Sequence, residues 1–234
     1  MKTISVIIPV YNERNTLREI VKQVLAIDIP DVQKEIVIVD DCSTDGSLKL
    51  LRQTGCENKN LHIKILLNEK NLGKGGTVKN GIRNSTGDII IIQDADLEYN
   101  PKDFNALVQP ILAGKTEVVL GVRTLDAKNR KRGFVYSLGN TIITFVSNLL
   151  YGNRAAEYTG GYKVFTRKDL NSVTIDSDDF AFEHELVCKL LKRGYKTIDI
   201  PIHYNPRDYH DGKKINWRDG FKILWAVVKY RFVD

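Results

Sequence analysis

The sequence predicts an α/β fold with a doubly wound, mostly parallel sheet and flanking helices. Segments rich in Ile and Val alternate with helix-like segments through the first half of the chain, as a parallel sheet with crossover helices requires. Two of the apolar runs are followed within two residues by acidic residues, and such sheets bind ligands beyond the carboxyl ends of their strands. Because 234 residues and 42% hydrophobic content suit one large core, we predict a single domain over residues 1–234.

The predicted elements of the first half follow one another at short intervals. Apolar residues recur at helical spacing in residues 16–26, where Thr16 and Glu19 predict a capping box. Residues 88–92 are strongly apolar and predict a central strand, and Pro101 predicts the first turn of a helix. Strands are predicted at residues 4–10, 35–39, 63–67, 88–92 and 118–122, and helices at 16–26, 46–54, 76–83 and from 100 onward.

The second half is less regular. Strands are predicted at residues 162–166 and 197–204, and helices at 182–193 and 217–232. The last helix mixes aromatic with basic residues, a combination that suits a membrane surface and equally a cover for the sheet.

Residues 134–151 contain no charged side chain but are too polar to span a bilayer. The default interpretation of an apolar stripe at helical spacing is burial in the core. The alternative is an interfacial helix in contact with lipid headgroups, which the adjacent basic run 128–132 favours. The stripe consists of Leu138, Ile142, Phe145 and Leu149.

The composition limits the classes of protein and partner. A net charge of +6 favours anionic partners, namely phosphates, nucleic acid or an acidic membrane. Three widely spaced cysteines without a CxxC pair argue against a disulfide framework or a zinc site and favour a reducing compartment. No run approaches the ~20 apolar residues of a membrane span, and no signal-peptide pattern is present. We therefore expect a cytoplasmic protein that is soluble or peripheral to a membrane.

Acidic residues follow two predicted strands at the point where each strand ends. Asp40-Asp41 follows one buried run, and Asp94 and Asp96 follow another. Two carboxylates two residues apart around a bend can converge on a hard cation, so this pair predicts a Mg²⁺ or Mn²⁺ site, with Glu98 as a third ligand. On spacing alone, such a pair is more often a solvated turn. Its place after an Ile-rich strand favours the metal site, because clustered carboxylates repel one another unless a cation compensates them.

Four motifs occupy the first half of the chain: Val6-Ile7-Ile8-Pro9-Val10-Tyr11-Asn12-Glu13, Val39-Asp40-Asp41-Cys42-Ser43-Thr44-Asp45-Gly46-Ser47, Asn71-Leu72-Gly73-Lys74-Gly75 and Asp94-Ala95-Asp96. In this order they resemble the inverting family 2 glycosyltransferases. The resemblance implies a GT-A type fold, in which residues 1–123 bind a nucleotide sugar and residues 124–234 bind the acceptor.

The resemblance also implies roles for the residues within these motifs. Asp94 and Asp96 would bind the metal, Mg²⁺ or Mn²⁺, together with the diphosphate. The base and ribose would be held by Pro9, Tyr11, Glu13 and Asp41, with Asp40. The nucleotide site would further include Lys74 and Ala95.

Later segments are Gly121-Val122-Arg123, a basic run before Ser137-Leu138-Gly139-Asn140, Glu157-Tyr158-Thr159-Gly160-Gly161-Tyr162-Lys163, and Pro201-Ile202 with Arg207 and Lys213-Lys214. They resemble the dolichyl-phosphate mannose and glucose synthase branch of the family. Glu157 departs from that branch, which has Asp there. Glu98 stands where mannose synthases have a Gln metal ligand, which leaves the metal and the sugar open.

The chemistry of a lipid phosphate agrees with that branch. It is already an anionic nucleophile, so its attack requires cations but no general base. Guanidinium groups bind phosphate oxygens in a fork, which suits Arg123 and Arg207 to this role. Arg132 is the third candidate, with Arg130 and Lys131 as alternatives to it in the basic run. The predicted acceptor-phosphate site is Arg123, Arg132, Ser137, Arg207 and Lys213.

Two other stretches receive ordinary interpretations. The glycine-rich residues 73–76 lack the GxxxxGK[ST] spacing of a P-loop, so we expect a flexible turn that approaches the ligand closely. Glu183-His184-Glu185 fits helix surface at least as well as a catalytic acid pair. No GxGxxG follows the first strand, which argues against a nicotinamide dehydrogenase.

We therefore expect an inverting, metal-dependent transfer of a hexose or N-acetylhexosamine from a UDP- or GDP-sugar to polyprenyl (dolichyl or undecaprenyl) phosphate. Asp94, Asp96 and Arg123 are the predicted catalytic residues. The reaction would occur at the cytoplasmic face of a membrane, and a membrane-anchoring partner protein is compatible with it. The alternatives are a sugar hydroxyl acceptor in polysaccharide or glycolipid assembly, and a non-catalytic module that binds a nucleotide sugar or anionic lipid. A nucleic-acid partner is not expected, because only the last helix interleaves aromatic and basic residues.

Overall fold

The computed structural model describes residues 1–57, 62–125, 134–207 and 217–233. In these ranges seven strands form one sheet, covered by α-helices and a short 3-10 turn at Pro101–Asp103. The strands are β1 Lys2–Val10, β2 Val32–Asp40, β3 Ile63–Leu67, β4 Ile89–Ile92, β5 Val118–Val122, β6 Lys163–Thr166 and β7 Thr197–Pro201. The helices are α1 Leu17–Ala26, α2 Ser47–Glu57, α3 Gly73–Arg83, α4 Phe104–Leu112, α5 Phe134–Tyr151, α6 Arg167–Leu170, α7 Phe182–Lys192 and α8 Trp217–Phe232.

The sheet has the order β3-β2-β1-β4-β6-β5-β7. β1 pairs in parallel with β2 and β4, β2 pairs in parallel with β3, and β5 pairs in parallel with β7. β6 lies between β4 and β5 and is antiparallel to both. The predicted mostly parallel sheet is therefore confirmed. Because β6 is reversed, its first residue, Lys163, lies where the parallel strands finish, which we call the carboxyl end of the sheet.

Alternate residues of the central strand β4 pack on opposite faces of the sheet. Ile89 and Ile91 belong to the core on one face, and Ile90 and Ile92 to the core on the other, because successive strand side chains point in opposite directions. Helices α1, α2 and α4 cover the first face, and α3, α5, α7 and α8 cover the second. A strand covered on both faces is a continuous apolar run in the sequence, which is how its central position could be predicted.

The capping box predicted at the start of α1 is wrong. The Thr16 backbone is already helical, with φ −109° and ψ −26°, and its side chain makes no capping bond to α1. A capping residue has an extended backbone, which directs its side chain at the helix N–H groups. The Thr16 hydroxyl instead donates to the Glu13 carboxylate, with 3.0 Å between the oxygens. This bond helps to fix Glu13 at the carboxyl end of β1.

β7 is shorter than predicted, because the chain leaves the sheet at Pro201 and returns toward β4. The Asn205 N–H donates to the Glu98 carbonyl at 2.8 Å, and Tyr204 forms an isolated antiparallel bridge with Tyr99. The two tyrosine rings lie 5.3 Å apart. Residues 202–207 are thereby held against the turn that follows β4.

The apolar stripe of α5 faces away from the core, so its default interpretation as core is wrong. Phe145 and Leu149 are 65% and 70% exposed, and Leu138 and Ile142 are also exposed. The opposite side of the helix enters the core, for example through Ile143. An amphipathic pattern predicts that one face is apolar but not that the chain covers it.

Helix α8 packs beside α5 and also has an exposed apolar face. The Tyr151 hydroxyl at the end of α5 donates to the Val227 carbonyl of α8 at 2.8 Å. Phe221 and Trp225, one helical turn apart, are both exposed. Among the described residues, no helix is long and apolar enough to cross a membrane.

Candidate active site

Predicted site residues from separate segments meet at the carboxyl end of the sheet. Glu13 follows β1, Asp40 ends β2, Asp94 and Asp96 follow β4, and Arg207 follows β7. Parallel strands finish at the same end of a sheet, so the α/β topology places these side chains together. Lys163 joins them as the first residue of the reversed strand β6.

Lys74 connects Asp94 to Glu183 on α7, and a second lysine pairs with the same glutamate. The Lys74 ammonium lies 2.8 Å from an Asp94 carboxylate oxygen and 3.0 Å from Glu183 Oε1. Lys163, which is buried, contacts the other oxygen of Glu183 at 2.6 Å. Burial alone would raise the pKa of Glu183, but Lys163 and Lys74 lower it to about 2. The Glu183 carboxylate is therefore charged and a weak base near neutral pH.

Arg207 connects the turn after β4 to the end of β1. Its two terminal nitrogens donate to the two Glu13 carboxylate oxygens at 3.1 and 3.2 Å, and Nη2 lies 3.1 Å from Asp96 Oδ2. Its backbone N–H donates to Glu98 Oε1 at 3.0 Å. Burial would lower the pKa of the guanidinium, but the Glu13 and Asp96 carboxylates raise it.

These side chains form an ion-pair cluster with an excess of negative charge. Among the described residues it contains five carboxylates and three cations, so its formal charge is −2. Burial raises the pKa of Asp94, as do Asp96 and Glu183, against the effect of Lys74. Burial and the Glu98 carboxylate raise the pKa of Asp96. The members are Glu13, Lys74, Asp94, Asp96, Glu98, Lys163, Glu183 and Arg207.

A divalent cation fits this cluster by charge and by ligand chemistry, since carboxylate oxygens are the ligands that Mg²⁺ and Mn²⁺ prefer. In the described part of the chain, no three His, Cys, Asp or Glu side chains already converge on a metal position. The oxygens of Asp94, Asp96 and Glu98 contact Lys74 and Arg207 instead. The metal assignment of these three residues remains a prediction.

Asp40 and Asp41 have different surroundings, although both are buried. Asp41 accepts hydrogen bonds from the N–H groups of Leu72 and Gly73 at 2.7 and 3.0 Å, and thereby stabilises the N-terminus of α3. One oxygen of Asp40 accepts the Ser43 N–H at 3.0 Å. The other, Oδ1, is buried without a partner among the described residues. Asp40 is thus the member of the pair that keeps an unpaired acceptor atom among the described residues.

The flexible turn expected at residues 73–76 is wrong, because this stretch forms the first turn of α3. The Gly76 N–H donates to the Asp178 carbonyl at 3.1 Å. A Cβ at Gly75 would lie 2.8 Å from the Asp178 carbonyl carbon and from Phe182 Cβ, a contact that only glycine avoids. The close neighbour of these glycines is therefore the segment before α7, and this packing brings Lys74 to Asp94 and Glu183.

Arg123 belongs to a neighbouring cluster at the end of β5. Its guanidinium pairs with the buried Glu157 carboxylate, donates to the Thr159 hydroxyl at 2.8 Å and to the Tyr99 hydroxyl at 3.3 Å, and stacks over the Tyr204 ring at 5.0 Å. These contacts fix its position and leave its predicted role toward the acceptor untested.

Of the remaining predicted site residues, some lie in the described part of the chain and some outside it. Tyr11 is 40% exposed and Pro9 half-buried, both near the end of β1. Ala95 is buried between the two predicted metal ligands. Ser137 lies in the first turn of α5, but its side chain is outside the described part, as are Arg132 and Lys213 altogether.

The interpretation of Glu183-His184-Glu185 as helix surface is wrong, since all three are buried. Glu185 accepts the backbone N–H groups of residues 176 and 177 at 2.8 and 2.9 Å and pairs with Lys189. Burial and nearby Lys163 lower the pKa of His184 to about 3, so it is neutral. Sequence reasoning missed Glu183 and Lys163; a lysine beginning an apolar strand was the available signal, because a buried cation requires an acid partner.

Comparison with known proteins identifies a family and several relatives. The family described as Glycosyl transferase family 2 matches residues 5–174. The chain is 27% identical over 234 residues to Glycosyltransferase AglJ of Haloferax volcanii, covering 97% of this chain and 71% of that protein. It is 29% identical over 213 residues to the undecaprenyl-phosphate 4-deoxy-4-formamido-L-arabinose transferase of Sodalis glossinidius, covering 90% of this chain and 62% of that protein.

The fold is also similar to a solved structure of glucosyl-3-phosphoglycerate synthase from Mycobacterium tuberculosis with UDP. The TM-score is 0.75 at 17% identity, over 100% of this chain and 81% of that chain. A second structure of the same enzyme holds Mn²⁺, UDP-glucose and phosphoglyceric acid; its TM-score is 0.74 at 17% identity, with the same coverage. At this identity the similarity shows the fold.

Replacing Glu183 by Gln is expected to destabilise the protein by about 3–5 kcal/mol at pH 7, because buried Lys163 loses its charged partner. The pKa of Glu183 is lower in the folded state than its ordinary value of 4.5. Its contribution is therefore present above that value and declines as the pH falls toward about 2. Urea unfolding of both proteins at pH 7 and pH 3 should show the difference shrinking in acid. Glu69→Gln, at an exposed position, is the matched control. A loss of unfolding free energy in E183Q that is the same at both pH values would contradict the lowered pKa of Glu183.

Proposed function

Because the chain belongs to glycosyl transferase family 2, we propose that it transfers a hexose or N-acetylhexosamine from a nucleotide diphosphate sugar to polyprenyl phosphate. The observation that carries the proposal is the ion-pair cluster at the carboxyl end of the sheet. There, carboxylates from the ends of β1 and β4 retain an excess charge of the size that a divalent cation neutralises. The undecaprenyl-phosphate transferase relative supports the acceptor class.

Asp94 and Asp96, with Glu98, would hold Mg²⁺ or Mn²⁺ in this proposal. A bound divalent cation would neutralise the diphosphate and stabilise it as a leaving group. Structures of the M. tuberculosis synthase with UDP contain Mn²⁺ or Mg²⁺, which supports this cofactor class. The chain's own cations, Lys74 and Arg207, would then bind phosphate oxygens, because both already lie against the carboxylates where the metal would sit.

The acceptor phosphate would attack the sugar directly. A phosphate oxygen forms the new bond to C1 of the sugar from the side opposite the diphosphate. The C1–O bond to the diphosphate breaks, and its electron pair leaves with the nucleotide. No proton has to be removed from the acceptor, so this step needs no general base. A sugar hydroxyl acceptor would instead need one.

Asp40 supports uracil as the base of the donor. Its only oxygen without a partner among the described residues can accept one hydrogen bond, since Ser43 occupies the other. Uracil presents a single ring N–H between two carbonyls, whereas guanine presents adjacent ring and amino donors that suit a carboxylate with both oxygens open. The synthase neighbour was solved with UDP, which also supports a UDP-sugar.

The exposed apolar faces of α5 and α8 support a peripheral location on a membrane. Both helices pack on the sheet with their buried sides and present Phe145, Leu149 and Trp225 outward. Lys222 and Arg231 of α8 are exposed nearby and would contact anionic headgroups. A lipid surface would cover this apolar area and bring a polyprenyl phosphate to the protein.

Transfer is tested with labelled UDP- and GDP-sugars, polyprenyl phosphate and Mn²⁺, with and without EDTA. Label should enter the organic phase only with metal, and Asp96→Asn should lower the rate at least about 100-fold through lost stabilisation of the leaving diphosphate. Asp88→Asn is the matched control, because Asp88 is an exposed carboxylate at the other end of β4. Label found only on a free glycan would identify a hydroxyl acceptor, and absence of turnover with every donor would favour a binding module.

Nucleotide preference is tested by calorimetric titration with UDP and GDP. UDP should bind at least about tenfold more tightly, and Asp40→Asn should weaken UDP binding about tenfold, because the amide cannot accept from both Ser43 and the base. Asp28→Asn, an exposed carboxylate after α1, should leave both affinities unchanged. Tighter binding of GDP by the unmodified protein would overturn the assignment.

Membrane binding is tested by sedimentation with vesicles of phosphatidylcholine, with and without phosphatidylserine. The unmodified protein should bind the anionic vesicles, and the double variant Phe145→Ser with Trp225→Ser should lose most of that binding because exposed apolar area is removed. Leu67→Ser removes an exposed apolar side chain from β3 and serves as the control. Undiminished binding of the double variant would rule out this face as the membrane contact.

A further inference from the structure

Arg207 contacts two carboxylates with different predicted roles. Among the described residues, its guanidinium makes a paired contact with Glu13 and a contact at 3.1 Å with Asp96. Asp96 is a predicted metal ligand, while Arg207 is a predicted ligand of the acceptor phosphate. One cation therefore lies between the place proposed for the metal and the substrate proposed to attack.

Arg207 and a divalent cation cannot both use Asp96 Oδ2 fully. A guanidinium 3.1 Å from that oxygen occupies one of its lone-pair directions and neutralises part of its charge. Both effects weaken the oxygen as a metal ligand. The contact to Asp96 is single, whereas the contact to Glu13 is double, so Asp96 is the partner that Arg207 gives up more readily.

A phosphate supplies the replacement contact for Arg207. A phosphate monoester binds guanidinium through two parallel hydrogen bonds and carries more charge than one carboxylate. The Arg207 side chain is 18% exposed, so its guanidinium is accessible to such a ligand at the surface of the cluster. The segment that carries it is attached to the turn after β4 through the Arg207 and Asn205 N–H groups, which keeps it beside Asp96.

We propose that Arg207 couples the two ligands: the acceptor phosphate draws its guanidinium away from Asp96 and thereby raises the affinity of the site for the metal. The inference rests on the proposed function, since it assumes a phosphate acceptor and a metal at Asp96. Linkage requires the effect to be reciprocal, so the metal raises the affinity for the acceptor phosphate by the same factor. The protein then binds the metal and the acceptor phosphate together more tightly than their separate affinities predict.

The test is Mn²⁺ binding, measured from the free-ion signal in electron paramagnetic resonance at a fixed saturating UDP concentration. In the unmodified protein, farnesyl phosphate should lower the Mn²⁺ Kd at least about fivefold, and farnesol, which lacks the phosphate, should not. Arg207→Gln should bind Mn²⁺ more tightly than the unmodified protein without lipid, because the competing cation is gone. Farnesyl phosphate should then have no further effect.

Two controls separate coupling from other causes. Arg193→Gln removes the same charge at the C-terminal end of α7, where Arg193 contacts Ser172, and should retain the response to farnesyl phosphate. Arg207→Lys keeps the charge and should restore part of the competition. An Mn²⁺ Kd that farnesyl phosphate leaves unchanged in the unmodified protein overturns the coupling, as does weaker Mn²⁺ binding by R207Q. The transfer assay alone decides the proposed function, so product formation without a shift in Kd would reject only this inference.

Discussion

The structure at the carboxyl end of the sheet depends on charge compensation between buried and partly buried groups. Asp94, Glu183, Asp96 and Glu13 come from segments that would repel one another at this proximity, and Lys74 and Arg207 each connect one pair of them. Removing a charge from the buried pair of Glu183 and Lys163 costs several kcal/mol, because the partner is left without compensation. The cluster therefore fixes the relative positions of α3, α7 and the chain after β7, and it does so with a negative excess that suits a cationic ligand.

The first half of the chain is organised by backbone groups as much as by side chains. Asp41 uses its carboxylate to hold the first turn of α3, and the glycines of that turn allow the segment before α7 to approach. This packing places the Lys74 side chain between Asp94 and Glu183. Asp40, one residue earlier, keeps an acceptor atom open. Of the two adjacent aspartates, Asp41 stabilises a helix, and Asp40 is the one proposed to bind the nucleotide base.

Most of the fold could be predicted from periodicity, because strands buried on both faces are long apolar runs and their carboxyl ends coincide. Asp94 and Asp96 could be located for the same reason. The reversed strand β6 could not, since the four residues of Lys163–Thr166 carry no information on direction. Glu183 was missed because burial of a helix surface depends on what packs against it, here Lys74 and Lys163. The exposed stripe of α5 was assigned to the core for the converse reason: an amphipathic pattern does not identify its partner.

The contact between Glu13 and Arg207 joins residues 194 positions apart in the chain. A contact of such long range forms late in folding, after the loop between its ends has been closed by other interactions. During synthesis, the ribosome must release Arg207 before Glu13 and Asp96 acquire this partner, so these two carboxylates lack it while the second half is being made. A nascent chain would thus carry a site that is more negative than in the folded protein, and the position of one arginine determines when the site assembles as well as its final geometry.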